Sequence, residues 1–204
     1  MTSTVPTEEI PLTLRTLARH LRRARGSDQA KAAAKVFIGK PLTNRETGFS
    51  AKVSGESFKK MLSKSAVEKS LSQQAHHQAV ANVDKLFALA TRRRKRKATQ
   101  ERDIGRIGWL HHFDVPMPFE GEVLRVKILA KEMLDKHLAN PLYTLSAVKI
   151  ERPSVHKCGE FSLNDTDSPH APDGFEARFT AMIAEVKCGM QGEPFSCAEI
   201  PNSR

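Results

Sequence analysis

Between Ile107 and Ile150 the chain alternates apolar and polar positions in three successive runs, IGWLHHFDVPMPF, GEVLRVKILAKEM and NPLYTLSAVKIE. Each run is rich in β-branched, aromatic and leucine residues and bounded by Pro, Gly or Asn, the pattern of a strand. In the first, Ile107, Trp109, His111, Phe113 and Val115 share one side of the pleat. In the second, Leu124, Val126 and Ile128 point one way and Arg125 and Lys127 the other. In the third, Tyr143 precedes Thr144 and Ser146, followed by Val148 and Ile150. Three strands with short connections predict an antiparallel meander with one wetter face. That face carries Arg125, Lys127 and a place for one of the two histidines.

The chain before this core reads as helical. Leu14, Leu17, Ala18 and Leu21 form a stripe at helical period, with Arg15, Arg19, Arg22, Arg23 and Arg25 on the remaining surface. Gly26 ends that helix and Ser27 with Asp28 can cap the next, which spaces Ala30, Ala33, Ala34 and Phe37 and stops at Gly39. Residues 39–54 predict a hairpin, with turn residues over Asn44–Gly48 and a strand over Phe49–Val53. Ser54 is placed to cap a short helix through Phe58, Met61 and Leu62. The longest stripe, Val67, Leu71, Ala75, Ala79, Val83, Leu86, Phe87 and Ala90, predicts one helix over Ser65–Ala90. Phe175–Val186 spaces apolar residues for a short C-terminal helix. Residues 1–9 read as a disordered lead, and Arg152–Gly174 as a linker without periodicity. The expected fold is therefore α+β, with N-terminal helices packed on a twisted antiparallel sheet of about four strands. The expected organisation is a helical extension over 1–38, the α+β domain over 39–151, and a linker with a helix over 152–204.

Charge changes the picture. The 204 residues carry a formal net charge of +10. From Glu160 onward there are 3 basic and 8 acidic residues, a net of −5, so the preceding 159 residues hold 30 basic against 15 acidic, a net of +15. A field of that sign draws polyanions, nucleic acid first. Its densest point is the run Arg92, Arg93, Arg94, Lys95, Arg96, Lys97. Like charges repel, so this run predicts an exposed loop between helix and sheet, serving as a nucleic-acid-binding arm, an import-like signal or a plain solvated link. Three cysteines, late in the chain and in no CxxC pair, fit a reducing compartment. With no basic, apolar leader and no run long enough to span a membrane, the expected location is cytoplasmic.

No phosphate-binding loop, dinucleotide fingerprint, nucleophile elbow or zinc-finger spacing occurs, so neither a cofactor nor a metal is expected. His76 and His77 are adjacent on a helix and diverge, and the carboxylates of a zinc or iron site are missing nearby. What remains on or beside one sheet is His111, His112, Arg125, Lys127, Tyr143 and Ser146. Such a set suits metal-free RNA cleavage, which needs a base for the 2′-hydroxyl, cations for the phosphate and an acid for the leaving oxygen. His111 also alternates with Trp109 and Phe113, which equally describes a hydrogen-bonded core histidine. Arg125 and Lys127 equally describe the solvent side of a strand, and Tyr143 an anchor at a strand start.

The blocks GKPLTNRETGFSAKVSGESFKKMLS, HHQAVANVDKLF, IGWLHHFDVPM, EVLRVKI and NPLYTLSAVKIE, in this order, resemble the third type of large polyvalent protein-associated domain, found in phages and conjugative elements. The similarity covers about Gly39–Glu151 and extends toward the two preceding helices. Its blocks match this chain at Lys60, Ser63, His111, Phe113, Pro116, Lys127 and Tyr143, while Arg92–Lys97 looks like an insertion. That family is placed among the barnase–EndoU–colicin–RelE ribonuclease-like folds. The resemblance implies a metal-independent endoribonuclease in a toxin or conflict role, with RNA on the open face and an immunity or host protein as a further partner. It raises His111 above His112 as the proton-transfer group and Lys127, with Arg125, as the phosphate-stabilising cation. Tyr143 orients the substrate, and Lys60 and Ser63 join Arg92–Lys97 in binding. Against this stand a non-catalytic nucleic-acid-binding or protein-interaction module on the same fold, and an injected effector. Convergence of His111, Lys127 and Tyr143 in one cleft is the feature that favours the enzyme.

Overall fold

The computed structural model describes residues 11–99, 105–134, 142–153 and 174–191. Within them lie seven helices, α1 (Leu17–His20), α2 (Ser27–Ala34), α3 (Gly55–Met61), α4 (Lys64–Glu68), α5 (Gln73–Ala81), α6 (Val83–Leu89) and α7 (Phe175–Gln191). Six strands form one sheet: β1 (Pro41–Thr43), β2 (Ser50–Lys52), β3 (Thr91–Lys97), β4 (Ile107–Phe119), β5 (Glu122–Met133) and β6 (Leu142–Glu151). The α+β class agrees with the sequence; the sheet has six strands rather than about four, in the order β1-β2-β6-β5-β4-β3.

The meander β4-β5-β6 is antiparallel throughout. Its first turn is Glu120–Gly121, both with positive φ (48° and 83°), the two-residue geometry whose twist matches that of the flanking strands. The hairpin expected over 39–54 forms as β1 and β2, and β2 then joins β6 in parallel. Pro116 and Pro118 lie on β4 beyond Asp114, the last residue paired to β3, so no donor is missing on that side.

Two expectations fail here. The basic run Arg92–Lys97 is not a loop: it is β3, an edge strand paired antiparallel to β4. Charged side chains are tolerated on an edge because one flank needs no ladder partner. Nor is Ser65–Ala90 one helix. Leu71 N–H donates to the Ile150 carbonyl of β6 instead of to its own helix, Ser72 starts a new helix by accepting from Ala75 N–H, and Leu71 is 49% exposed. Asn82 makes the second break, its amide clamped to both Arg22 N–H and the Arg22 carbonyl. The first helix is also shorter than its stripe, a single turn over Leu17–His20, and the C-terminal helix runs on to Gln191.

Because β4 and β5 pair in unbroken register from Leu110 to Phe119, their faces can be assigned strictly. His111, Phe113, Val115 and Met117 share one face with Ala130, Ile128, Val126 and Leu124, and with Leu145, Val148 and Ile150 of β6. This face meets the helices; Leu17, Phe37, Met61, Leu86 and Phe87 pack in the same buried cluster. The hairpin places Phe49 against it, 4.7 Å from the His111 ring, 5.5 Å from Phe113 and 4.0 Å from Tyr143. The other face is divided. At one end α7 covers it: the Arg125 guanidinium lies over the rings of Phe179 (4.3 Å) and Phe175 (5.4 Å), and Thr91 Oγ1 reaches Met182 Sδ. The other end is open.

Candidate nucleic-acid interface

The open half of this second face is built from alternate residues of three strands. His112 of β4 stands opposite Arg94 of β3 and Leu129 of β5; Leu110 stands opposite Arg96 and Lys131. Lys127 is next along β5. Regular alternation would send only every other residue of the basic run to this side. A bulge between Arg92 and Arg94 changes which residues those are, though not how many. Arg93 lies close enough to His112 and Asp114 to shift both electrostatically, so Arg93, Arg94 and Arg96 belong to the open side. Arg92, Lys95 and Lys97 belong to the other: Arg92 pairs with Phe113, and the ammonium groups of Lys95 and Lys97 stand over the Trp109 ring at 4.3 and 5.7 Å.

Burial, and then Arg94, Arg96, Arg93 and Lys127, push the His112 imidazole down to about 4, so it is neutral near pH 7. Its Nε2 is buried and makes no hydrogen bond among the described residues. Lys127 is anchored by Glu151 (2.5 Å), which Lys149 also holds (2.8 Å). The result is a neutral imidazole beside Arg93, Arg94, Arg96 and Lys127 on the open side of the sheet.

Beyond His112 the face opens into a trough of about 760 Å³. Leu110 and Leu129 contribute its floor, Lys131 stands among them, Arg96 and Arg106 line it together, and α3 adds Glu56 and Lys60. Helix α3 is held there by Ser54, which caps it by accepting from Ser57 N–H as expected. Lys60 pairs with Glu56 at 2.6 Å, and that contact, with Arg106 nearby, holds the Glu56 carboxyl below its ordinary range. Ser63 is a helix cap, its hydroxyl accepting from Ala66 N–H at the start of α4.

The residues expected to act together are separated. His111 is 2% exposed on the helix-packed face, where burial lowers its pKa against the pull of Glu132, whose Oε2 is 3.3 Å from Nε2. Tyr143 is on the same face, its ring 5.6 Å from that of His111, and burial followed by Glu132 raises its hydroxyl pKa. Lys127 and Arg125 are on the opposite face. Arg125 is 4% exposed and donates from Nε to Asp114 (2.7 Å) and from Nη2 to Glu176 (3.1 Å), beneath α7. Burial pushes the Asp114 carboxyl upward while Arg125 pulls it down. His111 and Tyr143 thus form one cluster, Lys127 and His112 another, and Arg125 sits in a third under the helix. The sequence reading does not single out Arg106 and Lys131, which line the trough, and leaves open which histidine lies on the open face, although strict alternation from Trp109 and Phe113 puts His112 there. Among the described residues no group of three or more His, Cys, Asp or Glu gathers as a metal site, and no helix is long and apolar enough to cross a membrane.

Fold and site together define an α+β protein that presents a cationic, partly open sheet face. The family model of large polyvalent protein-associated domain 3 matches residues 22–143, more than half of the chain, and the chain belongs to that family. The match takes in α2, begins at Arg22 rather than Gly39, and stops at Tyr143, before most of β6. No curated protein and no solved structure matches the chain.

Proposed function

We propose that this chain binds RNA on the open face of its sheet, as a domain of a polyvalent protein from a phage or mobile element. The observation that carries this reading is the ring of Arg93, Arg94, Arg96 and Lys127 around the neutral His112. The same strand supplies its own control. Replacing Arg93, Arg94 and Arg96 by Ser removes three charges from the open side; replacing Arg92, Lys95 and Lys97 removes three from the other. In a titration with labelled RNA at low salt, the first variant loses binding and flattens the salt dependence, while the second stays close to wild type at equal net charge. Equal losses would reduce the interaction to the overall field, and no binding by the wild type would end the proposal.

A metal-independent endoribonuclease is the finer reading, and one observation favours it: of the two strand histidines, His112 is the one on the open face, beside Arg93, Arg94, Arg96 and Lys127, whereas His111 is buried against Glu132. Its imidazole can take the 2′-hydroxyl proton as that oxygen attacks phosphorus, with Lys127 and the arginines stabilising the crowded phosphate. The P–O5′ bond breaks and the departing 5′-oxygen takes a proton from solvent water, giving a 2′,3′-cyclic phosphate and a 5′-hydroxyl; His112 returns its proton to solvent. Pure protein incubated with RNA in EDTA tests it. Cleavage lost by about a hundredfold in His112→Ala, with an unchanged melting temperature, fits this assignment. Loss only in His111→Ala, again with an unchanged melting temperature, would move the proton-transfer role to the His111–Tyr143 side of the sheet, away from Lys127 and Arg125. Binding without cleavage leaves the non-catalytic module.

A further inference from the structure

The trough next to His112 has a composition that phosphate binding alone does not require. Cations suffice to hold a backbone, yet here an apolar floor is sunk between them. Leu110 is almost fully buried and Leu129 half-buried, with Ile107 and Met133 extending the same lining. Hydroxyls of Thr144 and Ser146 lie along the same trough, and Ser146 donates to the Leu129 carbonyl. The volume, about 760 Å³, falls within the range of pockets that enclose a small molecule. The trough is also continuous with the cation cluster. Arg94 and Arg96 are alternate residues of one strand, about 7 Å apart along it, a step comparable with that between successive phosphates of a single strand.

A duplex cannot use both features. Its bases are stacked inward behind two backbones, so it meets cations and leaves an apolar floor untouched. An unpaired nucleotide presents a flat apolar face, polar edges and a phosphate together. We propose that the trough is a subsite for one unpaired nucleotide of single-stranded RNA, the base over Leu110 and Leu129 and the flanking phosphates against Arg96 and Arg106. This rests on the open face being the RNA surface, and adds that the face selects single strands. An acidic peptide would satisfy the cations, but it offers no flat ring for the floor and no reason for the trough to continue into the His112 cluster.

The test compares a labelled oligouridine with a blunt RNA duplex of the same length, by fluorescence anisotropy at fixed salt. Two variants are used. Thr144→Leu with Ala147→Leu fills the trough from β6 at positions that are half-buried and exposed, without changing charge. The Arg93, Arg94, Arg96→Ser variant reports on the cation cluster. Wild type is expected to prefer the single strand by about tenfold, the worth of burying one base face against the apolar floor. The filled variant should lose that preference while keeping its duplex affinity and its melting temperature, and uridine monophosphate should compete with oligouridine on wild type only. Duplex bound as tightly as single strand, or a preference that survives filling, overturns the subsite while leaving the RNA surface standing. Failure of wild type to bind either RNA overturns both. A polyglutamate peptide that competes as well as oligouridine, and is itself excluded by filling, also overturns it.

Discussion

His76 has no exposed surface, and both its ring nitrogens are used. With Nε2 protonated it donates to the Met61 carbonyl (2.7 Å), and Nδ1 accepts from the Ser70 hydroxyl (2.8 Å), whose oxygen in turn accepts from Ile150 N–H (3.2 Å). One neutral imidazole therefore ties α3, the break before α5 and the end of β6. Burial lowers its pKa, as it does for His111 and, further, for His112. In the unfolded chain these histidines titrate near 6.5. Below that pH the unfolded state takes up protons that the folded state refuses. Their contribution is complete above about pH 6.5 and is lost progressively as the pH falls. His76→Gln should cost about 1–3 kcal/mol at pH 7, through the partners it leaves unpaired. It should also flatten the decline of the urea midpoint between pH 7 and 5. A decline as steep as in the wild type would assign the acid sensitivity to His111 and His112 alone.

At the scale of elements, the sequence was legible wherever burial is one-sided. β4, β5 and β6 announce themselves by alternation, and the hairpin by its turn residues. The basic run did not, because β3 is held by backbone pairing to β4 and by lysines over Trp109, neither of which leaves an apolar period in the strand itself. The helix over Ser65–Ala90 misled for the opposite reason. Its stripe runs through two breaks, since α4, α5 and α6 bury their apolar residues in the same core, and only Ser72 and Asn82 mark the joints. Helix α7 carries another such mark. Gly189 lies so close to the Arg15 carbonyl that a Cβ would stand 1.8 Å from its oxygen. Alanine is the better helix former, yet Gly189→Ala should lower the melting temperature, by about 1–3 kcal/mol of stability, as overpacking does. A rise would mean that α7 does not close on the N-terminal segment in solution.

For the whole molecule, the imbalance of charge predicted a polyanion surface but could not say which side of the sheet it covers. That depends on parity, and parity depends on register. The resemblance favoured His111, and the alternation left open which histidine lies beside Lys127; the register puts His112 there. The helices take one face, α7 takes half of the other, and Arg93, Arg94, Arg96 and Lys127 are gathered on what is left, while Arg92, Lys95 and Lys97 stand exposed on the other side of the edge strand. Arg125 shows the price of that division: a cation on the correct face, enclosed by Asp114, Glu176 and two phenylalanines beneath α7.

The bulge in β3 is an extra letter in an otherwise regular line. Thr91 and Arg92 pair with Asp114 and Phe113, and Arg94 resumes with His112, so Arg93 is the one residue of the strand that β4 does not count. Deleting it, rather than replacing it, should let the ladder close with every other pairing intact. The shortened chain is expected to melt no lower than the full one while binding RNA more weakly, separating by one codon what the strand needs from what the surface uses. A deletion that unfolds the protein would show instead that the irregularity is structural.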